Sequence, residues 1–320
     1  MKIAIIGAGI SGTTLYHTAK QLGFTATIFD IQKQNTASKI AAGIINPIAI
    51  SRKKVLWRGE DFADFAWNFY KEHNSKAIRP QRMTFKVSNQ KEANDWDFSD
   101  AMERGFLECQ KIENEYLYTI LKSGWIETKD YLNLEPIRAH IAHNEIINNF
   151  SNQFDAIILA TGNDLIHDFL AENYRKDILM PLLGDILTLA IPNQINFLHT
   201  EGVFLLPTEN GVNKLGSTYI KDAASDTPQE EHKNLLLDKF AKFGLNYTKL
   251  IAHQSAFRPS TFDRNAIIGL IKGYKNVYSF TGMGSRAYLY SPLLALQLLQ
   301  NINTGKALWP EVDIKRGIKK

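Results

Sequence analysis

The sequence is poor in cysteine, in long apolar runs and in repeats, and each scarcity excludes a class of protein. Cys109 is the single cysteine among 320 residues, so an internal disulfide and a metal site built from several cysteines are both excluded. No apolar run approaches the ~18 residues that a membrane-spanning helix needs. The chain opens on a strand pattern rather than a charged leader, so no secretion signal is expected. These absences predict a cytoplasmic protein that does not enter a membrane.

The remaining composition is that of an ordinary globular protein. Hydrophobic residues make up 44% of the chain and charged residues 22%, which is enough to build one or two domains with a large core. The net charge of +4 is mildly basic. Such a charge permits an anionic partner such as nucleic acid, but a solvated surface is the favoured interpretation.

The first thirty residues read as a β-α-β unit. "KIAIIG" is an apolar strand pattern, "SGTTLYHTAKQLG" carries apolar residues at helical spacing, and "FTATIFD" is a second strand. Further on, "FDAIILATG" at 154–162 has the uniformly apolar character of a strand in a parallel sheet covered on both faces. Between about 180 and 220, strand patterns alternate with turn residues, as in an antiparallel sheet.

This order predicts a parallel-sheet nucleotide-binding domain that is interrupted twice by an antiparallel one. We assign residues 1–80, 128–178 and 255–320 to the nucleotide-binding domain. Residues 81–127 and 179–254 form the predicted substrate or cap domain.

A glycine-rich turn joins the first strand to the first helix. Gly7, Gly9 and Gly12 form the pattern G-x-G-x-x-G, and Asp30 ends the next strand. The three glycines allow a tight turn, close approach of a pyrophosphate and close packing of helix on sheet, while the carboxylate accepts from ribose hydroxyls. The free N–H groups of the helix N-terminus attract the phosphates. The pattern predicts dinucleotide binding without choosing between NAD and FAD, and the alternative is a glycine-rich turn without a ligand.

A second glycine-rich turn precedes the last apolar helix, in "GMGSRAYLYSPLLA". Gly282 and Gly284 would let the backbone pass close to a planar ligand. Ser291 is predicted to cap the helix and Pro292 to lie in its first turn. The alternative is that this helix merely covers the sheet and that the glycines are a connector.

Several segments, in the same order, resemble the D-amino-acid oxidase family of flavoproteins, which includes glycine oxidase, sarcosine oxidase and the oxidase half of the bifunctional tRNA wobble-uridine modification enzyme. The resemblance covers nearly the whole chain and rests on the N-terminal glycine turn, the small-residue loop "ASKIAAGIINP", "GWIETKDYL", "AIILATG", "GVFLLPTENGVNKLGSTY", "FRPSTFDRNAIIG" and the closing "GMGSRAYLYSPLLA". It implies an α/β fold, with a Rossmann-like FAD-binding domain of the glutathione-reductase type and an inserted antiparallel-sheet substrate domain. Cys109 is not placed like the cysteine that tethers flavin in some relatives, so non-covalent FAD is expected.

The resemblance also implies which residues hold the cofactor. The turn and helix N-terminus of the amino end would take the adenine side of FAD, and the carboxy-terminal turn would lie against the N1 and C2 carbonyl edge of the flavin ring, where N–H groups favour the reduced, anionic form. The implied cofactor residues are Gly7, Gly9, Ile10, Ser11, Gly12, Asp30, Ala41, Ala42, Gly43, Thr161, Gly162, Gly282, Met283, Gly284, Ser285, Arg286 and Ala287.

Three cationic residues are implied to act on the substrate or on oxygen. Arg258 matches an arginine that holds a substrate carboxylate, for which a guanidinium fork is suited, and its alternative is a salt bridge with Asp263. Arg286 would contact substrate or a flavin carbonyl, or play a structural part. The tRNA-modifying branch usually has glycine after this arginine, whereas this chain has Ala287. Lys214 resembles a lysine that approaches flavin N5 and helps activate oxygen, and its alternative is a strand lysine facing solvent.

The implied activity is oxidation of a C–N bond in a primary or secondary amine, with hydride transfer to flavin N5. Molecular oxygen is the default acceptor, and the alternative is a dehydrogenase that uses another acceptor. One alternative substrate is the carboxymethylaminomethyl group of a tRNA wobble uridine, and another reading is a flavin-binding protein without turnover. A metal pair at His140 and His143 lacks a third ligand, and the basic run "SRKKVLWR" at 51–58 is more typical of a solvated surface than of a nucleic-acid site. The oligomeric state is left open.

Overall fold

A computed structural model of the chain describes residues 1–50, 54–87, 98–192, 194–200, 202–208 and 211–319. The chain divides into two compact units. The first unit comprises Met1–Lys39, Lys129–Leu182 and Phe257–Lys320, and the second comprises Ile40–Thr128 and Leu183–Ala256. Among the helices of the described residues, none combines the length and apolarity that a membrane crossing requires.

The described residues form short strands throughout. In chain order these are β1 (Lys2–Ile6), β2 (Thr25–Asp30), β3 (Ile44–Ile45), β4 (Ile48–Ala49), β5 (Lys54–Val55), β6 (Ile78–Pro80), β7 (Met83–Val87), β8 (Leu107–Ile112), β9 (Glu115–Ile120), β10 (Gly124–Ile126), β11 (Ile137–Arg138), β12 (Ala156–Leu159), β13 (Leu182–Ala190), β14 (Phe197–Thr200), β15 (Val203–Pro207), β16 (Val212–Gly216), β17 (Lys249–Arg258), β18 (Ile267–Leu270) and β19 (Val277–Thr281).

The α-helices are α1 (Ile10–Gln21), α2 (Ala37–Ile40), α3 (Gly59–Asn74), α4 (Ser99–Glu103), α5 (Thr128–Tyr131), α6 (His143–Glu145), α7 (Ser151–Gln153), α8 (Ile166–Leu170), α9 (Glu230–Phe240) and α10 (Ala287–Thr304). A π-helical turn at Ile146–Phe150 joins α6 to α7, and 3₁₀ turns occur at Ser75–Ala77, Ala241–Phe243, Gly284–Arg286 and Ile314–Gly317.

The first unit is built on a six-stranded sheet in the order β11-β2-β1-β12-β19-β18. Its first five strands run parallel, and β18 is antiparallel to β19. Every residue of β12 is buried, as its uniformly apolar sequence predicts for a central parallel strand. Helices α1 and α10 pack against each other, so the amino-terminal and carboxy-terminal helices of this unit are neighbours.

The second unit contains an eight-stranded sheet in the order β17-β13-β16-β15-β14-β7-β9-β8. From β13 to β8 the strand pairs are antiparallel except for β14 with β7, which is parallel. A smaller antiparallel sheet, β3-β10-β6, and the pair β4-β5 complete the unit. The predicted fold class, a parallel sheet with an antiparallel sheet inserted into it, is therefore confirmed.

The division into units differs from the predicted domain boundaries along residues 40–80. The predicted boundaries group these residues with the glycine turn, whereas contact clustering groups them with the second unit. The reason is strand pairing, because β3 and β6 both pair with β10. These backbone hydrogen bonds hold together segments that are dozens of residues apart, and the composition of the segments does not reveal such pairing.

Candidate functional site

The amino-terminal glycine turn lies where β1, α1 and the end of β12 approach one another. Gly7 has a φ of +104°, and its N–H donates to the carbonyl oxygen of Phe29 at 2.7 Å. A Cβ atom at Gly7 would lie 2.5 Å from the carbonyl oxygen of Ala160, and one at Gly12 would lie 1.7 Å from that of Gly7. Gly7 therefore requires glycine because its φ is positive and because a side chain would have no room, whereas Gly12 requires glycine only because a side chain would have no room.

The N-terminus of α1 opens beside Ser38, which our sequence analysis did not select. The N–H of Ile10 donates to Ser38 Oγ at 3.0 Å, and a Cβ atom at Gly9 would lie 2.8 Å from the same oxygen. Gly9 precedes the helix and has no side chain with which to cap it. The free N–H groups and the helix dipole make this end of α1 a favourable place for an anion such as a diphosphate.

Asp30 is held at the same turn. Its Oδ2 accepts from the N–H of Ala8 at 2.7 Å, and its Oδ1 accepts from the N–H of Gln32. These two hydrogen bonds orient the carboxylate at the carboxyl end of β2. A carboxylate in this place can accept from the hydroxyl groups of a ribose bound along the turn.

The carboxy-terminal glycine turn begins directly after β19. Gly282 and Gly284 have φ values of +81° and +55°. The predicted helix start is wrong, because α10 begins at Ala287 rather than after Ser291. Ala287 has ordinary helical dihedral angles, φ −58° and ψ −37°, so replacing glycine at this position creates no backbone strain.

Ser291 and Pro292 accordingly lie inside α10 and do not begin it. The hydroxyl of Ser291 is fully buried and donates to Met283 Sδ at 3.1 Å instead of capping the helix. Pro292 lies one residue beyond, in the second turn. Apolar residues from Tyr288 to Tyr290 extend the buried face back toward the turn, and this packing explains the earlier start.

Met283 and Tyr288 join the two glycine turns within the first unit. The sulfur of Met283 lies 4.0 Å from Ser11 Oγ on α1, as well as close to Ser291. The hydroxyl of Tyr288 donates to the carbonyl oxygen of Ser38 at 2.9 Å. Residues 250 and 272 positions apart thus form one cluster at the N-terminus of α1.

Thr161 and Gly162 follow β12 and form a third segment near the amino-terminal turn. A Cβ atom at Gly7 would lie 3.2 Å from Thr161 Cα. The carbonyl oxygen of Gly162 accepts from Thr281 Oγ1 at 2.8 Å, at the end of β19. The carboxyl ends of neighbouring parallel strands therefore bring the predicted segments to one edge of the sheet, where open α/β sheets bind ligands.

Arg258 ends β17 and is half-buried. The next residue, Pro259, accepts from the N–H of Gly284 at 2.8 Å, so the segment that carries Arg258 is bonded to the carboxy-terminal turn. Arg286, also half-buried, is the last residue of the 3₁₀ turn Gly284–Arg286. The neighbouring Ser285 is exposed.

Asp263, the predicted alternative partner of Arg258, pairs with Arg316. Nε of Arg316 lies 2.8 Å from Oδ2 and Nη2 lies 3.1 Å from Oδ1, which is a bidentate arrangement. Burial raises the pKa of Asp263, but hydrogen bonds from Arg316, the N–H of Asn265 and Thr261 more than offset it, so this pKa lies below its usual value. The ion pair ties the carboxy-terminal segment to the loop that follows Arg258.

Lys214 meets the small-residue loop within the second unit. Its ammonium group donates to the carbonyl oxygen of Ala41 at 2.9 Å, from the middle of β16. Ala42 is buried in an apolar cluster, and a Cβ atom at Gly43 would lie 2.0 Å from the carbonyl oxygen of Ile126. The small residues at positions 42 and 43 are therefore explained by packing inside the unit, while Ala41 is the one that contacts the lysine.

The remaining sequence features have ordinary surroundings. His143 Nε2 lies 2.9 Å from the hydroxyl of Tyr274, and the described residues contain no group of three His, Cys, Asp or Glu side chains placed to hold a metal ion. Cys109 is exposed on β8. Residues 51–53 of the basic run lie outside the described residues, and Arg58 pairs with Asp61 at 2.6 Å.

Comparison with known proteins identifies the family and the fold of the chain. The sequence pattern of the family described as FAD dependent oxidoreductase (DAO) matches residues 134–300, just over half of the 320-residue chain. The fold is similar to that of glycine oxidase from Geobacillus kaustophilus, with a TM-score of 0.76 at 14% identity, covering 96% of this chain and 95% of that one.

Two further solved structures are similar at comparable distance. Iminodiacetate oxidase from Chelativorans sp. BNC1 has a TM-score of 0.76 at 17% identity over 98% of each chain. L-proline dehydrogenase from P. horikoshii has a TM-score of 0.73 at 15% identity, over 97% of this chain and 95% of that one. At identities this low, the TM-scores show a shared fold only. Membership of the family rests on the family pattern, which matches more than half of the chain. The chain therefore belongs to the DAO family of FAD-dependent oxidoreductases.

Proposed function

We propose that this protein binds FAD non-covalently and oxidises the C–N bond of a primary or secondary amine, most simply one attached to a carboxylated carbon. The observation that carries the proposal is the cluster at the N-terminus of α1, where the two glycine turns meet around Met283 and Ser38. The similar structures support the substrate class, because glycine, iminodiacetate and L-proline, named for those proteins, are amines that carry a carboxylate.

The residues of the first unit fit a dinucleotide. The N-terminus of α1, with Gly9 and Ser11, would hold the pyrophosphate, Ser38 Oγ would share the N–H donors, and Asp30 would accept from ribose hydroxyls. The backbone from Gly282 to Ala287 would take the flavin end. Bound FAD would supply the redox chemistry by accepting a hydride from the carbon next to the substrate nitrogen.

The protein's own contribution to the reaction is positioning and charge. Arg258 would bind the substrate carboxylate with its guanidinium fork, so that the amine is held in one orientation. Arg286 would contact the substrate or a carbonyl of the cofactor. The imine that results from oxidation hydrolyses in water, so a strong acid or base is not required.

Lys214 is the proposed oxygen-activating residue. Its bond to the carbonyl oxygen of Ala41 fixes a positive charge beside the small-residue loop. A fixed cation lowers the energy of negative charge that develops on oxygen during its reduction. We therefore infer that molecular oxygen is the acceptor and that hydrogen peroxide is the second product.

Anaerobic bleaching of the bound flavin tests the proposal. We expect the yellow holoprotein to bleach on mixing with at least one of glycine, sarcosine, iminodiacetate, L-proline or D-alanine, and to regain colour with oxygen as peroxide forms. Colour that no amine bleaches would overturn amine oxidation in favour of a flavin-binding protein without turnover. Bleaching by bulk tRNA alone would point to the modified wobble uridine as substrate.

Arg258→Ala tests the carboxylate clamp. Losing the charged hydrogen bonds, worth ~1.5–3 kcal/mol, should lower kcat/KM for the bleaching amine by roughly 10- to 150-fold while flavin content stays unchanged. Arg264→Ala is the matched control, because Arg264 is exposed in the loop that follows Arg258. Equal kinetics for Arg258→Ala and the control would remove Arg258 from the site.

Lys214→Met tests the oxygen site separately from the amine site. The variant should retain anaerobic bleaching by the amine but regain colour with oxygen at least about tenfold more slowly, because the fixed charge is lost. Turnover with an artificial dye acceptor is the internal control and should change little. A normal oxygen rate in a folded variant would contradict the role of Lys214.

A further inference from the structure

An ion pair from the carboxy-terminal segment holds the loop that follows Arg258. Residues 259–265 form this loop, between β17 and β18. Arg316 lies 53 positions after Asp263, in the 3₁₀ turn Ile314–Gly317. Neither partner of the ion pair is among the residues proposed to hold the cofactor or the amine.

The guanidinium of Arg316 is fixed by four hydrogen bonds. Nε and Nη2 bond the two carboxylate oxygens of Asp263, at 2.8 and 3.1 Å. Nη2 also donates to the carbonyl oxygen of Asn265 at 3.0 Å, and Nη1 donates to that of Asp313 at 3.1 Å. The paired side chains are only 16% and 26% exposed. A planar, bidentate pair fixes the direction of the partner as well as its distance.

Thr261 connects this ion pair to the carboxy-terminal glycine turn. Its hydroxyl lies 3.1 Å from Asp263 Oδ1 and 2.7 Å from the carbonyl oxygen of Asn265. The residue is 4% exposed, and a Cβ atom at Gly282 would lie 2.7 Å from Thr261 Cγ2. The turn therefore packs directly against a side chain that Asp263 holds.

The first residues of the loop are bonded both to the glycine turn and to Arg258. The N–H of Gly284 donates to the carbonyl oxygen of Pro259 at 2.8 Å, and the N–H of Ser260 donates to that of Arg258 at 2.9 Å. A Cβ atom at Gly284 would lie 3.2 Å from Ser260 Oγ, so the two backbones are close. A shift of the loop would therefore disturb the arginine and the turn together.

Phe262, within the loop, gives Arg316 a second contact. The guanidinium carbon of Arg316 is 5.8 Å from the centroid of this ring, and that of Arg175 is 4.1 Å from it. Arg316 thus holds the loop through a carboxylate and through an aromatic ring. A lysine at this position would keep the positive charge but could not reproduce the planar, bidentate geometry.

We propose that Arg316 is a positioning residue, which fixes Arg258 and the Gly282–Gly284 turn relative to each other. This role rests on the proposed function, in which Arg258 binds the substrate carboxylate and the turn takes the flavin. Arg316 would set the separation of the two without touching either ligand. Such precision matters, because a misplacement of about 1 Å can lower a rate about 100-fold.

Hydrogen exchange tests the positioning without turnover. Exchange of a bonded N–H requires local opening, so peptide-resolved deuterium uptake at Gly284 reports on its bond to Pro259 in the protein as purified. We expect this N–H to exchange at least about tenfold faster in Arg316→Met, which corresponds to about 1.4 kcal/mol. If this variant does not fold, Asp263→Asn makes the same test, because it keeps the shape of the partner and removes its charge.

Two further variants separate the ion pair from the rest of the segment. Lys319→Met alters the same segment, but Lys319 donates to the carbonyl oxygens of Ala171 and Glu172, so exchange at Gly284 should not change. Arg316→Lys should restore the slow exchange only in part, because a single ammonium group replaces the guanidinium fork.

Kinetic coupling between Arg316 and Arg258 distinguishes positioning from a general loss of stability. With whichever of glycine, sarcosine, iminodiacetate, L-proline or D-alanine bleaches the flavin, Arg316→Met should lower kcat/KM about tenfold. In the Arg258→Ala background the same substitution should lower it less than about twofold, because the residue through which it acts is absent. A merely destabilising change would lower kcat/KM by the same factor in both backgrounds.

An unchanged exchange rate at Gly284 in folded Arg316→Met would overturn the proposal, as would an equal acceleration in Lys319→Met. Equal kinetic losses with and without Arg258 would overturn it too. If no amine bleaches the flavin, the oxidase proposal fails instead. Exchange at Gly284 then still decides whether Arg316 positions the turn, so the two failures are distinguishable.

Discussion

Gly12→Ala is the substitution for which the structure predicts the largest effect from a single methyl group. The added Cβ would lie 1.7 Å from the carbonyl oxygen of Gly7 and 2.9 Å from its carbonyl carbon. Real Cβ atoms essentially never approach another atom within 3.0 Å, so the two groups must separate by at least 1.3 Å, the difference between 3.0 and 1.7 Å. Both groups belong to the backbone, and no side-chain rotation relieves the contact.

The cost follows from what has to move. Inserting a methylene into a packed core costs typically about 1–3 kcal/mol. Gly12 is buried in α1, and α1 packs on α10 as well as on β2, so the helix moves only at the expense of contacts on several sides. We therefore expect the free energy of unfolding to fall by about 3 kcal/mol. Flavin content should fall with it, because the displaced turn carries Gly9 and the N–H groups proposed to hold the pyrophosphate.

Gly23→Ala is the matched control in the loop after the same helix. Gly23 has a φ of +77°, and a Cβ atom there would meet nothing within 4 Å. Only the left-handed backbone opposes alanine, which costs about 1–2 kcal/mol. This variant should therefore be mildly destabilised and should keep its flavin.

Urea unfolding followed by circular dichroism measures the free energies, and the ratio of absorbance at the flavin band to that of the protein measures cofactor content. The reasoning would be refuted if Gly12→Ala were as stable as Gly23→Ala. It would equally be refuted if Gly12→Ala retained full flavin content, because the turn would then tolerate the displacement.

Two further predictions concern stability. Arg316→Met should lower the free energy of unfolding by about 2 kcal/mol, because it removes a bidentate and largely enclosed partner of Asp263. Lys86→Met is the control and should cost less than about 1 kcal/mol, because it breaks an ion pair with Glu115 whose side chains are 66% and 47% exposed. Equal losses in the two variants would contradict the idea that the enclosed ion pair contributes more to stability than the exposed one. Desolvation by burial, with a smaller effect of Lys239, lowers the pKa of His199 to about 4 from its usual 6.5. At this residue the unfolded chain then binds more protons than the native protein between these pH values, so the contribution of His199 to stability is constant above pH 6.5 and falls toward pH 4 by at most about 3.4 kcal/mol. His199→Gln should flatten that part of a urea-midpoint profile against pH, and an unchanged slope would exclude His199 as its cause.

Local sequence was sufficient for the elements around the amino-terminal turn. The β-α-β unit, the buried β12 and the glycine requirement at Gly7 and Gly12 all follow from spacing and residue type, because short-range sterics and hydrogen bonds decide them. The fold class followed from the order of such elements. The start of α10 did not, since Ser291 and Pro292 resemble a helix start locally but pack inside a longer apolar face.

The candidate site depends on contacts that no local pattern specifies. Ser38 was missed because a serine in a small-residue loop is common, and only its hydrogen bond with Ile10, 28 positions away, distinguishes it. The same is true of the bond between Lys214 and Ala41, which are 173 positions apart, and of the ion pair between Asp263 and Arg316, which are 53 positions apart.

The sequence by itself determined that this protein has a parallel sheet, an antiparallel sheet inserted into it and a glycine-rich turn before its first and its last long helix. The tertiary structure alone decided which side chains meet at those turns and which strands pair with β10. The physical reason is the range of the interactions. Secondary structure is set by neighbours within a few residues, whereas strand register and side-chain pairing join segments whose separation along the chain carries no signal.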